Sequence, residues 1–322
     1  MKFMPVLSDD LLKDVDKVEV YVATIKNKLQ TNQVLELLKD IYPLKSVAHL
    51  KRIKSNKEKQ CLNVIICLTS EVDGINVLES NSELSKVLQN FKREFVSLTK
   101  PLTRKQFEQA SKLWPTSFHE DKEIKKLVSG AILTSDEMKQ SAVYMQLAES
   151  VAIQSKEDTS ATVIIDPTCN TILACACDCS HVHDPLHHSA MVAIDMVATL
   201  QGGGAYTALR YKETTEGYLI VDGAHLYSGM TYEQTSTPPS RIVTKRHDGY
   251  LCTGYDVYTT HEPCVMCCMA LLHSRVRRVF FKHVNLSAGG FGSVYKIHCE
   301  EGLNHHFEVF RNVSHKRPHL EV

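Results

Sequence analysis

Two stretches of the sequence, His188-Ser189-Ala190 and Pro263-Cys264-Val265-Met266-Cys267, decide the fold because their side chains must meet around one metal ion. Two thiols at the start of one helix and an imidazole from a second helix are the ligands that zinc prefers. Structural zinc sites have four protein ligands, whereas three ligands leave an open position for water or a substrate. The sequence therefore predicts a zinc ion held by His188, Cys264 and Cys267 in a site of the catalytic type.

The residues around each ligand strengthen this prediction. A lone Cys-x-x-Cys is also found in redox pairs and zinc ribbons, and a lone histidine is more often a core or surface residue than a ligand. Here His188 precedes an apolar run, 191–198, that is typical of a buried helix. A strand predicted over 254–260 leads into the cysteine helix, and Pro263 suits a helix start because it has no N–H group. The helix N-terminus also stabilises thiolates.

Length and composition exclude several classes of protein. The chain has 322 residues, 43% of them hydrophobic, and a formal net charge of zero. We therefore expect two domains with real cores, and any RNA binding must come from local patches. No apolar run approaches the roughly 18 residues of a membrane span, and residues 1–5 lack a secretory core. The eleven cysteines favour free or metal-bound thiols in a reducing compartment; Cys175, Cys177 and Cys179 are expected to be strand residues rather than a second metal site.

The N-terminal part predicts a small α+β domain. Residues 1–17 are acidic and polar and are expected to form a loose arm. Within 18–99, the hydrophobic pattern predicts strands over 18–25, 45–53, 61–68 and 94–98, and helices over 32–41 and 82–91. This β-α-β-β-α-β order is that of the ferredoxin-like motif.

The C-terminal part predicts a three-layer α/β/α domain. Residues 100–124 form a connector, with a helix beginning at Thr103 and with Trp114 docking it on a domain. From 125 to 322, a helix over 135–152, a hairpin over 161–165 and 171–176, and two helix–strand units complete the pattern. An insertion, 201–246, separates the two ligand-bearing helices; its Gly and Pro residues predict a mobile surface segment.

These motifs resemble those of the zinc nucleobase deaminases, which carry H-x-E followed by P-C-x-x-C. Residues 254–281, Pro185-Leu186-His187-His188, Leu113-Trp114-Pro115-Thr116 and 303–310 resemble one branch in particular, the non-catalytic subunits of eukaryotic tRNA-specific adenosine deaminases. The resemblance implies a cytidine/deoxycytidylate deaminase-like zinc domain that pairs with a catalytic deaminase subunit in the nucleus and cytoplasm. The pair would convert adenosine to inosine at wobble position 34 of tRNA.

Two positions depart from the active members. The Glu two residues after the zinc-binding histidine moves protons between the zinc-bound water and the base, and Ala190 stands in its place here. By our alignment, Asp178 stands where active relatives have an Asn that binds the flipped base. Glu262 precedes the cysteine helix, and Asp195 lies about 10 Å along the other helix from His188. We expect neither carboxylate to replace the missing Glu, so the chain is predicted to be inactive on its own.

The remaining predictions concern RNA and the partner. A charge run is usually a solvated face, but beside deaminase motifs it favours phosphate binding. The RNA-binding candidates are a hairpin group and a group after the cysteine helix: Lys45, Lys51, Arg52, Lys54, Lys57 and Lys59, then Arg275, Arg277, Arg278 and Lys282. Met266, Met269 and 276–281 are candidates for the partner interface, unless they belong to the core. The carboxylate of the tail, 320–322, is a candidate for the fourth zinc position.

Two other functions are compatible with these motifs. One is an active nucleoside or nucleotide deaminase with an unusual base, against which Ala190 and the additional basic domain argue. The other is a zinc-containing RNA-binding scaffold that has no deaminase partner. Co-purification separates the scaffold from the heterodimer, because an obligate partner is recovered in stoichiometric amounts.

Overall fold

The computed structural model describes residues 1–56, 60–154, 160–180, 184–206, 211–213, 219–221 and 250–313, which form two compact units. One unit spans residues 9–129. The other unit combines residues 1–8 with the chain from residue 130 onward. None of the described helices is long and apolar enough to cross a membrane.

The chain begins with a strand, β1 (Phe3–Pro5), rather than with the loose arm expected over 1–17. β1 pairs antiparallel with a strand near the C-terminal end of the described chain, over residues 308–312. The Phe3 ring packs edge-on against Phe280 with 5.4 Å between the ring centroids. Burial of this one aromatic side chain and the backbone pairing explain why a polar segment is ordered.

The unit of residues 9–129 consists of short helices and four strands. They are α1 (Asp9–Leu12), β2 (Lys17–Ile25), α2 (Thr31–Ile41), β3 (Ile53–Asn56), β4 (Cys61–Leu68), α3 (Ile75–Ser80), α4 (Ser82–Val87), β5 (Leu88–Ser97), α5 (Arg104–Leu113) and α6 (Lys122–Ser129). The antiparallel sheet has the order β3-β4-β2-β5, which is the ferredoxin-like order that the sequence predicts. Single-turn 3-10 helices lie at Lys28–Gln30 and Thr69–Glu71.

One predicted strand of this unit is wrong. Residues 45–53 do not form a strand, because Val47 and Leu50 turn inward to pack on one face of the sheet. Trp114 is fully buried on the same face and donates its indole N–H to the Lys51 carbonyl at 2.6 Å. The connector is therefore docked by its tryptophan, as predicted, and closes the sheet face opposite the helices. The helix predicted over 82–91 ends at Val87, so β5 is longer than expected.

The second unit is built on a mixed sheet with helices on both faces. Its further elements are α7 (Ser135–Gln154), β6 (Ala161–Asp166), β7 (Thr171–Cys177), α8 (Ser189–Leu200), β8 (Tyr211–Glu213), β9 (Leu219–Val221), β10 (Asp256–His261), α9 (Val265–His273), β11 (Arg278–His283) and β12 (Glu308–Asn312). A single-turn 3-10 helix lies at Ile297–Cys299. The strand order is β1-β12-β11-β10-β6-β7-β9-β8, with β10, β11 and β12 parallel.

Two hydrophobic cores lie on opposite faces of this sheet. α7 packs on one face, where Met145 and Ala148 meet Tyr258 and Phe280. α8 and α9 pack on the other face in a second core that includes Met196 and Leu271. The three-layer α/β/α prediction is confirmed, and both ligand-bearing helices lie on the same face. Most of the predicted insertion, 201–246, lies outside the described residues.

Candidate metal centre

The three predicted metal ligands lie at the starts of two helices. His188 is the residue immediately before α8, and Cys264 is the residue immediately before α9, in the N-cap positions. Cys267 is in the first turn of α9 and is buried. Because both helices bury apolar residues in the same core, their N-terminal ends are held side by side.

The distances among these three side chains fit a zinc ion. The Nδ1 atom of His188 lies 3.5 Å from the sulfur of Cys264 and 3.5 Å from the sulfur of Cys267. Tetrahedral zinc, with bonds of about 2.3 Å to sulfur and about 2.0 Å to nitrogen, requires these atoms to be about 3.5 Å apart. All three ligand atoms lie within 4.8 Å of one another. In the described parts of the chain, no other such group of His, Cys, Asp and Glu residues occurs.

The electrostatics of the two thiols also suit a cation. The pKa of the Cys264 thiol is lowered to about 5, chiefly because the Cys267 side chain donates a hydrogen bond to its sulfur. The Cys267 backbone and His188 lower it further by smaller amounts. The pKa of Cys267 is raised, because its proton is held by the Cys264 sulfur and because the side chain is buried. The pair therefore shares one proton, and a metal ion would stabilise both sulfurs as thiolates.

A pocket of about 550 Å³ opens over these ligands. Besides the three ligands it is lined by the start of α8, the residues that follow β7 and end β10, and the loop after β11; among them are Asp178, Ser189, Ala190, His261, Glu262, Asn285 and Leu286. Ala190 is buried in the wall of this pocket. Its methyl group has no proton to exchange, so this part of the pocket wall takes no part in proton transfer.

Glu262 is unable to serve as a substitute because its carboxylate is fully engaged. It is 2% exposed. It accepts backbone N–H hydrogen bonds from three residues of the loop after β11, Asn285 at 3.1 Å, Phe291 at 3.0 Å and Ser293 at 2.9 Å, and a further bond from the Ser293 hydroxyl. A buried carboxylate with this many donors orders the loop that forms one wall of the pocket.

Asp195, in the middle of α8, is engaged in the same manner. Its buried carboxylate accepts hydrogen bonds from the backbone N–H groups of Ala205 and Tyr206, at 2.5 and 3.3 Å. These bonds secure the chain that leaves α8. The expectation that neither Glu262 nor Asp195 is placed to act on a zinc-bound water agrees with their contacts.

Asp178 differs from these two residues because it lines the pocket itself. Its Oδ1 accepts hydrogen bonds from the backbone N–H and the hydroxyl of Ser180, at 3.0 and 2.5 Å. The carboxylate presents only acceptors when ionised, whereas an asparagine presents both a donor and an acceptor. If Asp178 aligns with the base-binding Asn of active relatives, the pocket therefore lacks the amide N–H donor that such an Asn offers.

A hydroxyl network positions the start of α8. The buried Ser189 hydroxyl lies 2.8 Å from the hydroxyl of Ser160 and 2.9 Å from that of Thr162. Thr162 in turn donates to the Thr259 hydroxyl at 3.3 Å. These contacts tie the residue after His188 to β6 and β10, which fixes the direction in which the His188 ring enters the site.

The cations of the predicted RNA-binding hairpin are only partly available. The Arg52 guanidinium donates to the backbone carbonyls of Ile65, Tyr42 and Ile66. Lys54 donates to the Leu113 carbonyl at 2.9 Å and lies 5.1 Å from the Trp114 ring centroid. Lys45 and Lys51 are exposed, and Lys57 and Lys59 lie outside the described residues. Arg52 and Lys54 thus bind backbone carbonyls of the strands and the connector. The pattern of charges along the sequence does not reveal this structural role.

The second group of cations is also engaged by contacts that a linear pattern cannot show. Arg277 and Arg278 both donate to the Asp256 carboxylate. Arg278 also donates to Glu137, and Lys282 is paired with Glu149 on α7. Arg275 donates to the Asn304 carbonyl at 2.8 Å. The carboxylate partners of these cations come from other elements, so the sequence near the cations does not reveal them.

Of the two alternatives for residues 276–281, interface or core, the structure supports the core, because Val276, Val279, Phe280 and Phe281 are buried. Met266 and Met269 are half-buried and pack against the core around α8 and α9. The proposed carboxylate ligand at 320–322 lies outside the described residues.

Sequence reasoning missed the role of Glu262, although a signal for it exists. The loop it orders contains Gly289-Gly290-Phe291-Gly292. A Cβ atom on Gly289 would lie 2.4 Å from the Glu262 carboxyl carbon, and one on Gly290 would lie 2.6 Å from the Cys268 sulfur. Close approach of backbone to a buried side chain is a common reason for glycine, so this run marks a tightly packed loop.

Comparison with known proteins agrees with this geometry. Residues 138–283 match the model of the cytidine and deoxycytidylate deaminase zinc-binding region, and residues 18–114 match the model of the N-terminal domain of the tRNA-specific adenosine deaminase TAD3. A solved structure from a study of A-to-I editing by tRNA:A34 deaminases is 16% identical, with a TM-score of 0.33, over 54% of this chain and 95% of that one. The match to the zinc-binding deaminase model and the ligand set define a protein of the zinc-binding deaminase class.

The sequence relatives are more specific. The chain is 38% identical to the probable inactive tRNA-specific adenosine deaminase-like protein 3 of Danio rerio, over 96% of this chain and 91% of that protein. It is 33% identical to the Homo sapiens protein of the same description, over 96% and 89% of the two chains. The tRNA-specific adenosine deaminase subunit TAD3 of Saccharomyces cerevisiae is 26% identical, over 89% and 82%. The chain belongs to the family of inactive tRNA-specific adenosine deaminase-like protein 3.

Proposed function

We propose that this chain is the catalytically inactive subunit of a heterodimeric tRNA adenosine deaminase, which converts adenosine to inosine at wobble position 34. In this role it binds tRNA and positions the anticodon loop for the catalytic subunit. The observation that carries the proposal is a pocket with a complete set of three zinc ligands in which Ala190 replaces the proton shuttle. Relatives that are named as subunits of tRNA-specific adenosine deaminases support it.

Zinc in this chain would serve the fold rather than the reaction. The ligands come from the starts of α8 and α9, so a bound ion would join two helices through residues, His188 and Cys264, that are 76 positions apart in sequence. When bound, zinc supplies Lewis-acid polarisation and binding free energy, and here the binding energy stabilises the folded state. His188, Cys264 and Cys267 would hold the ion, while Glu262 and Ser189 keep the surrounding loop and helix in place.

The surface around the pocket supports a subunit role. Leu186, Val265, Leu286, Val294 and Tyr295 are large apolar side chains that are each more than a third exposed. Leu286 lines the pocket, Val265 follows Cys264, and the N–H groups of Val294 and Tyr295 both donate to Gly289, which pairs with Cys264. Because the loop is ordered by Glu262, this apolar rim is preformed. An apolar patch of this kind is typical of a surface that a partner covers.

The deciding experiment measures inosine at position 34 of a tRNA substrate. The chain is tested alone, with the catalytic subunit, and with a catalytic subunit whose own proton-shuttle Glu is replaced by Ala. We expect product only with the intact partner. Activity of the chain alone would contradict the proposal, and Asp178→Asn would then test whether this pocket carboxylate moves the protons.

A second experiment separates the heterodimer from a partnerless scaffold. Leu286→Asp combined with Tyr295→Asp should abolish stoichiometric co-purification of the catalytic subunit. Val77→Asp, at an exposed position on α3 in the other unit, is the control and should leave co-purification unchanged. Recovery of the chain without a deaminase subunit, with tRNA binding intact, would support the scaffold.

A further inference from the structure

The first eight residues of the chain belong to the same unit as the zinc ligands, although residues 9–129 form a separate unit. β1 is the edge strand of the large sheet, next to β12. Beyond β1, the Val6 N–H donates to the Val309 carbonyl at 2.8 Å. Phe3 is buried in the core that α7 covers, whereas Val6 packs against the core of α8 and α9. We call residues 2–6 the N-terminal segment.

The N-terminal segment contacts the loop that carries most of the apolar rim. Residues 284–296, between β11 and the single-turn helix at Ile297–Cys299, form this loop, which we call the rim loop. It contains the exposed rim residues Leu286, Val294 and Tyr295. A Cβ atom on Gly292 would lie 3.2 Å from the Cγ1 atom of Val6, so Val6 packs directly on the backbone of the rim loop.

His298 joins the N-terminal segment to the rim loop a second time. Its ring is buried, and its Nε2 atom lies 3.0 Å from the Val6 carbonyl oxygen. Because a carbonyl oxygen only accepts, Nε2 carries the proton and donates it. In the described part of the chain, the other ring nitrogen, Nδ1, has no hydrogen-bond partner. The hydrogen bond that this buried imidazole makes among the described residues therefore goes to the N-terminal segment.

Two separate sets of contacts thus hold the rim loop in one conformation. Glu262, after β10, accepts the Phe291 N–H, as described above. The Phe291 ring in turn packs edge-on against the His298 ring, with 5.6 Å between the centroids. The Ile297 N–H donates to the Gly290 carbonyl at 3.0 Å, which ties the single-turn helix to the same loop. A loop that is already ordered loses less conformational entropy when a partner covers it.

We propose that the N-terminal segment, acting through Val6 and His298, positions the rim loop for the catalytic subunit. The inference rests on the function proposed above, in which that subunit covers the rim. Val6 and His298 are positioning residues, since they act through the loop and its exposed apolar side chains. The start of the chain, which lies in a different unit from the residues that follow it, thereby contributes to assembly of the heterodimer.

The test measures the affinity of the full chain for the catalytic subunit. His298→Ala removes the donor to Val6, and we expect the dissociation constant of the complex to rise about tenfold. His298→Gln keeps a side-chain N–H donor for the same carbonyl and should restore most of the affinity. The control is His305→Ala, because the His305 Nε2 atom lies 2.8 Å from the Val276 carbonyl in the turn before β11. Both imidazoles also contact the Phe307 ring, so the control loses similar contacts away from the rim loop.

Val6→Ala is a milder variant, which we expect to remain folded. It shortens the side chain that packs on Gly292 but leaves the backbone carbonyl that accepts from His298. The dissociation constant should rise about threefold. Val18→Ala changes another half-buried valine, on β2 in the unit of residues 9–129, and should leave the dissociation constant unchanged.

Two further measurements separate positioning of the loop from a general loss of stability. Amide hydrogen exchange within the rim loop should be faster in His298→Ala than in His305→Ala, because only the first variant releases the loop. At chain concentrations that saturate the catalytic subunit, kcat for inosine formation should equal that of the unsubstituted complex, because the variant changes assembly and leaves the reacting groups intact.

The outcomes separate this inference from the proposed function. If the unsubstituted chain does not bind the catalytic subunit, the proposed function itself fails. If it binds, and His298→Ala and His305→Ala weaken binding equally or not at all, only the inference is overturned. A lower kcat at saturation with unchanged affinity would assign His298 to the reaction rather than to assembly and would also overturn it. Should His298→Ala fail to fold, an unchanged dissociation constant in Val6→Ala would overturn the inference.

Discussion

The two ends of strands β10 and β11 both gather ionisable groups, but they do so in different ways. At the starts of the strands, the Asp256 carboxylate, 1% exposed, accepts from Arg277 and Arg278, and Arg278 also reaches Glu137. After the end of β10, roughly 17 Å away at about 3.3 Å per residue, Cys264 and Cys267 meet His188. In the first set each arginine is paired with a carboxylate of the chain, and we call it the balanced end. The second set contains ligands for a cation.

This difference shows which ionisable side chains stabilise the fold and which ones remain to bind a ligand. Two guanidinium groups and two carboxylates stabilise each other, so the cluster at the strand starts needs nothing from outside the chain. The thiols at the other end share a proton and gain most from a metal ion. Charged residues at a strand end therefore indicate a binding site only when their partners within the fold are incomplete.

The largest expected effect is loss of zinc at the incomplete end. Cys264→Ser removes a thiolate ligand, so the zinc content of the purified chain should fall from about one ion per chain to near zero. Since metal binding contributes to folding, the melting temperature should fall as well. Cys169→Ser, at an exposed cysteine of the turn between β6 and β7, is the control and should change neither value. A chain that keeps its melting temperature after chelation would show that the fold does not depend on the ion.

The balanced end should respond to a change of one charge. Asp256→Asn leaves two arginines without their buried carboxylate and should lower the free energy of unfolding by about 3–5 kcal/mol. Arg277→Ala removes the more exposed partner, whose side chain is 42% exposed, and should cost less than about 1 kcal/mol. Urea unfolding of both variants measures the difference. Equal costs would mean that Arg277 rather than Arg278 is the main partner of Asp256, and a change in zinc content would mean that the two ends are coupled.

The same contrast shows what the sequence can predict. The zinc ligands follow from local motifs, because Pro263 and the apolar runs place Cys264, Cys267 and His188 at helix starts. The ferredoxin-like order follows from alternating strands of 8 to 10 residues. The Arg278–Glu137 pair joins residues 141 positions apart, and no local pattern contains it. β1 has three residues and is ordered only by pairing with β12, so its own sequence is too short to reveal it.

A pH-dependent effect is expected beside the pocket loop. His298 is buried, its Nε2–H donates to the Val6 carbonyl at 3.0 Å, and burial lowers the pKa of this imidazole to about 4. The unfolded chain takes up the proton below about pH 6.5, and the folded chain resists it until about pH 4. Stability should therefore be fully present above pH 6.5 and fall by up to about 3 kcal/mol as the pH drops to 4.

His298→Gln tests this because its amide does not titrate. Thermal unfolding between pH 7 and pH 4 should show a flatter dependence for the variant than for the unsubstituted chain. His273→Gln, at the exposed end of α9, is the matched control and should keep the original slope. A slope that is unchanged in His298→Gln would assign the acid sensitivity to other groups, and the balanced end with Glu137 would be the next to examine.

The smallest effect concerns Arg275, which the sequence assigns to RNA and which the structure places in the turn between α9 and β11. Its φ of 63° is in the left-handed region that favours glycine, and its guanidinium holds the Asn304 carbonyl. Arg275→Ala loses that bond and keeps the backbone cost, whereas Arg275→Gly removes the cost as well. The glycine variant should therefore be about 1 kcal/mol more stable than the alanine variant. Both variants should bind tRNA with the affinity of the unsubstituted complex. A loss of tRNA affinity of about tenfold in both would instead show that Arg275 contributes to RNA binding and that this end of the strands faces the substrate.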